Sequence, residues 1–78
     1  MKTHIVAIFS QLEGENKLHL VMEENQVKAV KKALIQNCEE EYRTDDFKEW
    51  VNGLGDTLED ISKNAYNGEL VISNVLTI

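Results

Sequence analysis

Proline is absent from this chain of 78 residues, and cysteine occurs once, at Cys38. The lack of proline argues against extended proline-rich recognition segments. A single cysteine cannot form an intramolecular disulfide, so packing alone must hold the fold, as in a reducing compartment. No apolar run approaches the ~20 residues of a membrane-spanning helix, and the run from Ile5 to Phe9 is too short for a signal peptide. We therefore expect a cytoplasmic protein that makes no contact with a membrane.

Basic residues are also scarce, since eight lysines and arginines stand against fourteen aspartates and glutamates, a net charge of −6. The imbalance is regional. Residues 39–60 hold nine acids and two bases, a net of −7, while the remaining residues carry a net of +1. A nucleic-acid-binding surface needs bases to neutralise phosphates, so direct nucleic-acid binding is not expected. A protein partner with a basic surface is compatible with this charge.

Signatures of catalysis and of cofactor or metal binding are missing from the sequence. His4 and His19 have no cysteine or carboxylate nearby to complete a tetrahedral ligand set. Gly53-Leu54-Gly55 lacks the lysine of a phosphate-binding loop, and no serine, histidine and aspartate pattern suggests a triad. Cys38 falls in an apolar stripe, which is typical of a small core residue. We expect no enzyme activity, no catalytic residues, no cofactor and no metal.

The stretch Gln26–Tyr42 predicts an amphipathic helix around which the rest of the chain is organised. Asn25 precedes it at a position suited to an N-cap, and Glu39–Glu41 near its end oppose the helix dipole. Its apolar stripe recurs at helical spacing: Val27, Val30, Leu34 and Cys38.

Three segments predict strands, at residues 3–12, 17–24 and 69–78, and the first of them is rich in β-branched and aromatic residues. The first two form a hairpin around Gly14, in a register that places Ser10 opposite His19. Asn74 marks a bulge or a bend in the last strand. Alternation separates the hairpin side chains into two sets, one with Ile5, Ala7, Phe9, Leu18, Leu20 and Met22, the other with His4, Val6, Ile8, His19, Val21 and Glu23.

Two further helical patterns follow the central helix, one capped by Thr44 and one beginning at Asp56. Gly53 and Gly55 separate them, although the two patterns could also form one kinked helix. The chain is therefore predicted to be a single α+β domain, residues 1–78, with the order β-β-α-α-(α)-β. We expect a three-stranded sheet in spatial order 2-1-3 with two to three helices packed on one face.

Helices of so small a domain can cover only one face of the sheet. The uncovered face is predicted to be an oligomer interface formed by Val6, Ile8, Val21, Val71 and Val75. Strand propensity alone also explains valines on a solvated face. A homodimer closed by this patch is one hypothesis for the function, as a self-assembling structural subunit that uses the face together with the C-terminal strand.

Eight acidic residues form the second candidate surface, called the acidic belt below: Glu40, Glu41, Asp45, Asp46, Glu49, Asp56, Glu59 and Asp60. Spaced carboxylates on a helical surface can imitate a phosphate backbone and occupy a basic groove. Small inhibitors that phages carry against host defence nucleases have this size and charge. The favoured hypothesis is a non-enzymatic inhibitor or adaptor that masks a basic surface of a partner. An acidic exterior that only keeps a small domain soluble is the alternative.

Overall fold

The structure, a computed structural model of residues 1–78, contains three strands and three α-helices. In chain order these are β1 (Lys2–Ser10), β2 (Glu15–Glu23), α1 (Gln26–Gln36), α2 (Asp45–Asn52), α3 (Leu58–Asn67) and β3 (Leu70–Thr77), with a 3-10 turn at Glu40–Tyr42. The strands form one antiparallel sheet in the order β2-β1-β3, and the helices lie on one side of it. The predicted α+β fold and strand order 2-1-3 are confirmed. No helix has the length and apolar character needed to cross a membrane.

The hairpin between β1 and β2 turns earlier than predicted. Ser10 pairs with Glu15 rather than with His19, so the predicted register is wrong by four residues. Gly14 takes the expected positive φ, +68°, and its amide donates to the Ser10 carbonyl at 2.8 Å. Because a shift of four is even, every side chain of the hairpin keeps its predicted face.

A bulge interrupts the pairing of β3 with β1, as predicted near Asn74. Asn74 pairs with Ala7 while Ile72 pairs with Ile8, so Ser73 is an extra residue on the β3 side. The extra residue reverses the alternation of side chains in the second half of β3.

This reversal corrects the predicted faces of β3. Ile72 and Val75 pair with Ile8 and Val6 and pack against the core, whereas Leu76 pairs with Ile5 and is exposed. Val71 and Val75, which were predicted to share one face, therefore lie on opposite sides of the sheet.

Helix α1 begins as predicted and ends six residues early. The Asn25 side chain caps it by accepting from the Lys28 amide at 2.9 Å. The helix ends at Gln36, so Cys38 lies beyond it and is only half-buried. The buried face of α1 consists of Ala29, Val30, Ala33 and Leu34.

Helices α2 and α3 are separate elements. The Thr44 side chain accepts from the Phe47 amide at 3.2 Å at the start of α2, and Gly53 ends that helix. The cap of α3 is Thr57, one residue after the predicted start, and its hydroxyl accepts from the Asp60 amide at 3.1 Å. Each helix therefore has its own threonine cap.

The helices cover the sheet face that was predicted to be open. Val6, Ile8 and Val21 are fully buried in the core, so their prediction as an exposed oligomer interface is wrong. Val75 packs against the same core, and only Val71 lies on the uncovered side. The alanines of α1 are small enough to let the helix backbone approach the β-branched side chains of the sheet closely. The core is completed by Leu34, Val51, Leu54, Ile61, Ala65 and Leu70.

Arg43 closes the C-terminal end of α1. Its guanidinium donates to the Cys38 carbonyl at 2.9 Å and to the Gln36 carbonyl at 3.1 Å. These carbonyls lie beyond the last intrahelical bonds and need a donor from elsewhere.

We expect Arg43→Ala to lower the free energy of unfolding by about 1–2 kcal/mol, because two charge-assisted hydrogen bonds to carbonyls are lost. Urea unfolding followed by circular dichroism measures this loss. Lys48→Ala is the matched control, since Lys48 is exposed and forms no salt bridge, and it should change the stability by less than about 0.5 kcal/mol. Equal losses in the two variants would show that the guanidinium contacts contribute nothing.

Candidate interaction surfaces

The acidic belt lies entirely on the exposed side of the helical layer. All eight of its residues are exposed. Asp45 and Asp46 lie in the first turn of α2, and Glu59 and Asp60 in the first turn of α3. These four carboxylates also stabilise the positive ends of their helices. Part of the belt therefore has a structural role that needs no partner.

The other four members come from the 3-10 turn (Glu40 and Glu41), the middle of α2 (Glu49) and the α2–α3 linker (Asp56). Glu40 and Glu41 line one shallow depression together with Glu39. The linker folds back onto α3, since a Cβ placed on Gly55 would lie 2.6 Å from the Asp60 Cβ. Gly55 has a φ of +145°, which only glycine adopts readily, and this brings Asp56 towards the start of α3.

No base within the molecule forms a salt bridge with a belt carboxylate. The three salt bridges join Lys17 to Glu15, Lys28 to Glu24 and Lys32 to Glu23, at 3.6, 3.2 and 3.9 Å, and none includes a belt residue. Arg43, the only arginine, donates to backbone carbonyls. The belt carboxylates are thus available to charges from outside the chain.

The second surface is the uncovered side of the sheet, called the open face below. It consists of the strand residues that alternate away from the helices: Ile5, Ala7, Phe9, Leu18, Leu20, Met22, Val71 and Leu76. Thr3, Asn16 and Asn74 share this side, and Ile78 continues it because its amide donates to the Thr3 carbonyl. No ionisable side chain lies among these positions.

A cleft of about 400 Å³ opens at the hairpin end of the sheet. Phe47 and Trp50 line it, with ring centroids 5.8 Å apart, and Tyr42 and Leu12 add further apolar surface. Trp50 lies against Gly68, where a Cβ would come within 2.7 Å of the indole ring. Sequence reasoning missed this cleft, although a lone tryptophan and a glycine at a helix end are both present in the sequence.

Cys38 lines the cleft rather than packing in a helix stripe as predicted. Burial raises the pKa of its thiol above the usual value, and the positive charge of Arg43 offsets this only in part. A reactive thiolate needs a lowered pKa, so the surroundings of Cys38 do not favour a nucleophilic role.

Comparison with protein families, with curated proteins and with solved structures finds no match for this chain.

The two histidines on the helix side of the sheet are both engaged in structural hydrogen bonds. His4 is buried, and its Nε2–H donates to the Glu23 carbonyl at 3.0 Å. Its Nδ1 accepts from the Thr77 hydroxyl at 2.9 Å, and that hydroxyl accepts from the Gln26 amide group. His19 Nε2 lies 2.8 Å from the Asn37 side-chain oxygen. No group of three or more potential ligand side chains lies close enough together to hold a metal ion.

Proposed function

We propose that this chain is a non-enzymatic, cytoplasmic protein-binding module that masks a basic surface of a partner, as an inhibitor or adaptor. The observation that supports the proposal is the acidic belt, in which eight exposed carboxylates have no base of their own chain as a partner. The partner surface that fits best is a basic groove that otherwise binds nucleic acid. Proteins that phages and other mobile elements direct against nucleases act on such grooves.

Physical chemistry gives the belt two advantages in such a role. Carboxylates on helices and a tight turn are held in place, so less conformational freedom is lost on binding than with a disordered acidic tail. A potential of one sign also steers a basic partner and raises the association rate. The electrostatic attraction depends on salt, since exposed charges separated by more than about 8 Å are largely screened at physiological ionic strength.

Affinity capture tests the proposal. The immobilised chain is incubated with lysate of its native cell at low salt, and retained proteins are eluted by a salt gradient and identified by mass. We expect a nucleic-acid-binding protein to be retained, and an excess of duplex DNA in the lysate to prevent its retention. Elution should be complete below about 0.5 M salt. Retention that neither DNA nor salt reduces would contradict the proposal.

A self-assembling structural subunit remains the second candidate, but on a different surface from the one predicted. Val6, Ile8 and Val21 are buried within the molecule and cannot join two copies. What favours self-association now is the open face, whose residues have no role in the proposed masking function.

A further inference from the structure

We infer that the open face binds the open face of a second copy, so that two sheets stack face to face in a two-fold symmetric dimer. This inference is independent of the proposed function, because no belt residue lies on the open face. It concerns apolar side chains that are exposed to solvent in a single copy.

The apolar area of the open face is large for a monomer. Five residues on this side of the sheet are mostly exposed: Leu18 by 73%, Leu20 by 68%, Met22 by 56%, Leu76 by 54% and Ile78 by 78%. Together they expose on the order of 600 Å², at the upper end of the largest patch found on typical monomers. The half-buried Ile5, Phe9 and Val71 bring the total towards the ~800 Å² per partner of a standard stable interface.

The shape and composition of the open face suit a copy of itself. Leu20, Ile5 and Leu76 pair across β2, β1 and β3 and form an apolar row over the whole width of the sheet. In the next row Ala7 stands between Leu18 and Asn74, so a small side chain leaves a depression beside a large one. Two sheets that stack about 10 Å apart interdigitate such large and small side chains.

The distribution of charge also favours a second copy over a foreign partner. The open face has no ionisable side chain that would select a partner by charge, and a two-fold interface needs only one patch that complements itself. Two copies with a net charge of −6 each would repel one another if their acids met. In this arrangement both belts lie on the outer helical layers, separated by two sheets, and the dimer presents a belt on each side.

Sedimentation equilibrium at concentrations up to about 100 µM tests the inference, since this range detects any dimer with a micromolar dissociation constant. The wild-type chain should have twice its monomer mass of 8.9 kDa. Leu20→Glu places a charge at the β2 end of the apolar row and should weaken the dimer at least about 100-fold. Leu12→Glu is the matched control, because Leu12 is 81% exposed in the hairpin turn and lies off the open face. The control should remain dimeric.

Circular dichroism shows whether Leu20→Glu is folded; if it is not, Leu76→Glu at the other end of the row replaces it. A wild-type mass of 8.9 kDa throughout the concentration range would overturn the inference. A Leu20→Glu variant that remains dimeric would also overturn the inference, because pairing of strand edges would then explain the dimer. Growth of the wild type into assemblies larger than a dimer would overturn it as well. The dimer should persist at about 1 M salt, which separates it from any belt-driven complex.

Discussion

Replacing Ile8 with alanine should lower the free energy of unfolding by about 3–4 kcal/mol, because a fully buried side chain leaves a cavity between the sheet and the helices. Ile8 is 0% exposed and pairs with Ile72 in the bulged part of β3. A domain of this length is stabilised by only a few kcal/mol in all, so a substantial fraction of the variant should be unfolded at 25 °C. Urea unfolding followed by circular dichroism measures the change.

Leu20→Ala is the matched control for this prediction. Leu20 lies on the neighbouring strand, on the open face, and is 68% exposed, so its truncation should cost less than about 1 kcal/mol. Both variants are measured at concentrations low enough that the apparent stability no longer depends on concentration, which removes any contribution from dimerisation. Equal losses at the two positions would mean that the helices do not cover the face of Ile8.

The covered face of the sheet is one feature of the fold that the sequence alone did not predict correctly. Alternation separated the two sets of hairpin side chains, and the structure confirms that separation. Both sets are apolar, however, so a period of two cannot tell which one meets the helices. The set with larger side chains, such as Phe9 and Leu20, remains outside. The set with Val6 and Ile8 packs against the alanines of α1.

The end of α1 was mispredicted because the side chain that bonds its last carbonyls, Arg43, is not part of the apolar pattern. Apolar spacing continues as far as Cys38 and Tyr42, and neither glycine nor proline interrupts it. The helix nevertheless ends at Gln36, where Arg43 returns to bond the free carbonyls. Glu39–Glu41 therefore lie outside the helix, and the predicted conflict with its dipole is reduced.

The belt, the aromatic cleft and the open face differ in how far the sequence alone predicts them. Exposed positions of a helix follow from the spacing of its apolar stripe, so the belt could be assigned from local pattern alone. The aromatic cleft joins Leu12, Tyr42, Trp50 and Gly68, which are distant in the sequence and meet only through the tertiary fold. The open face required the correct choice between two apolar sets, which depends on helix packing.

Reversing three charges of the belt should weaken the capture of a basic partner by at least about 100-fold at low salt, since each lysine replaces an attraction by a repulsion. The belt variant carries three substitutions: Asp45→Lys, Asp46→Lys and Glu49→Lys. The control variant reverses three exposed acids outside the belt: Glu13→Lys, Glu15→Lys and Glu24→Lys. Each acid-to-lysine change adds two charges, so both variants have a net charge of zero instead of −6.

The two variants separate a specific surface from bulk charge. If the belt forms the contact, the control should retain binding to within about fivefold of the wild type, because its charges lie at the rim or beyond it. Each lysine in the first turn of α2 interacts unfavourably with the helix dipole and destabilises the helix by about 0.3–1 kcal/mol. Thermal unfolding must therefore show that the belt variant is folded. The neutral set Asp45→Asn, Asp46→Asn and Glu49→Gln avoids that repulsion and should give an intermediate loss. Equal loss of partner capture in the belt and control variants would show that net charge matters and that the belt is not a specific contact. Unchanged capture by the belt variant would show that α2 does not contact the partner.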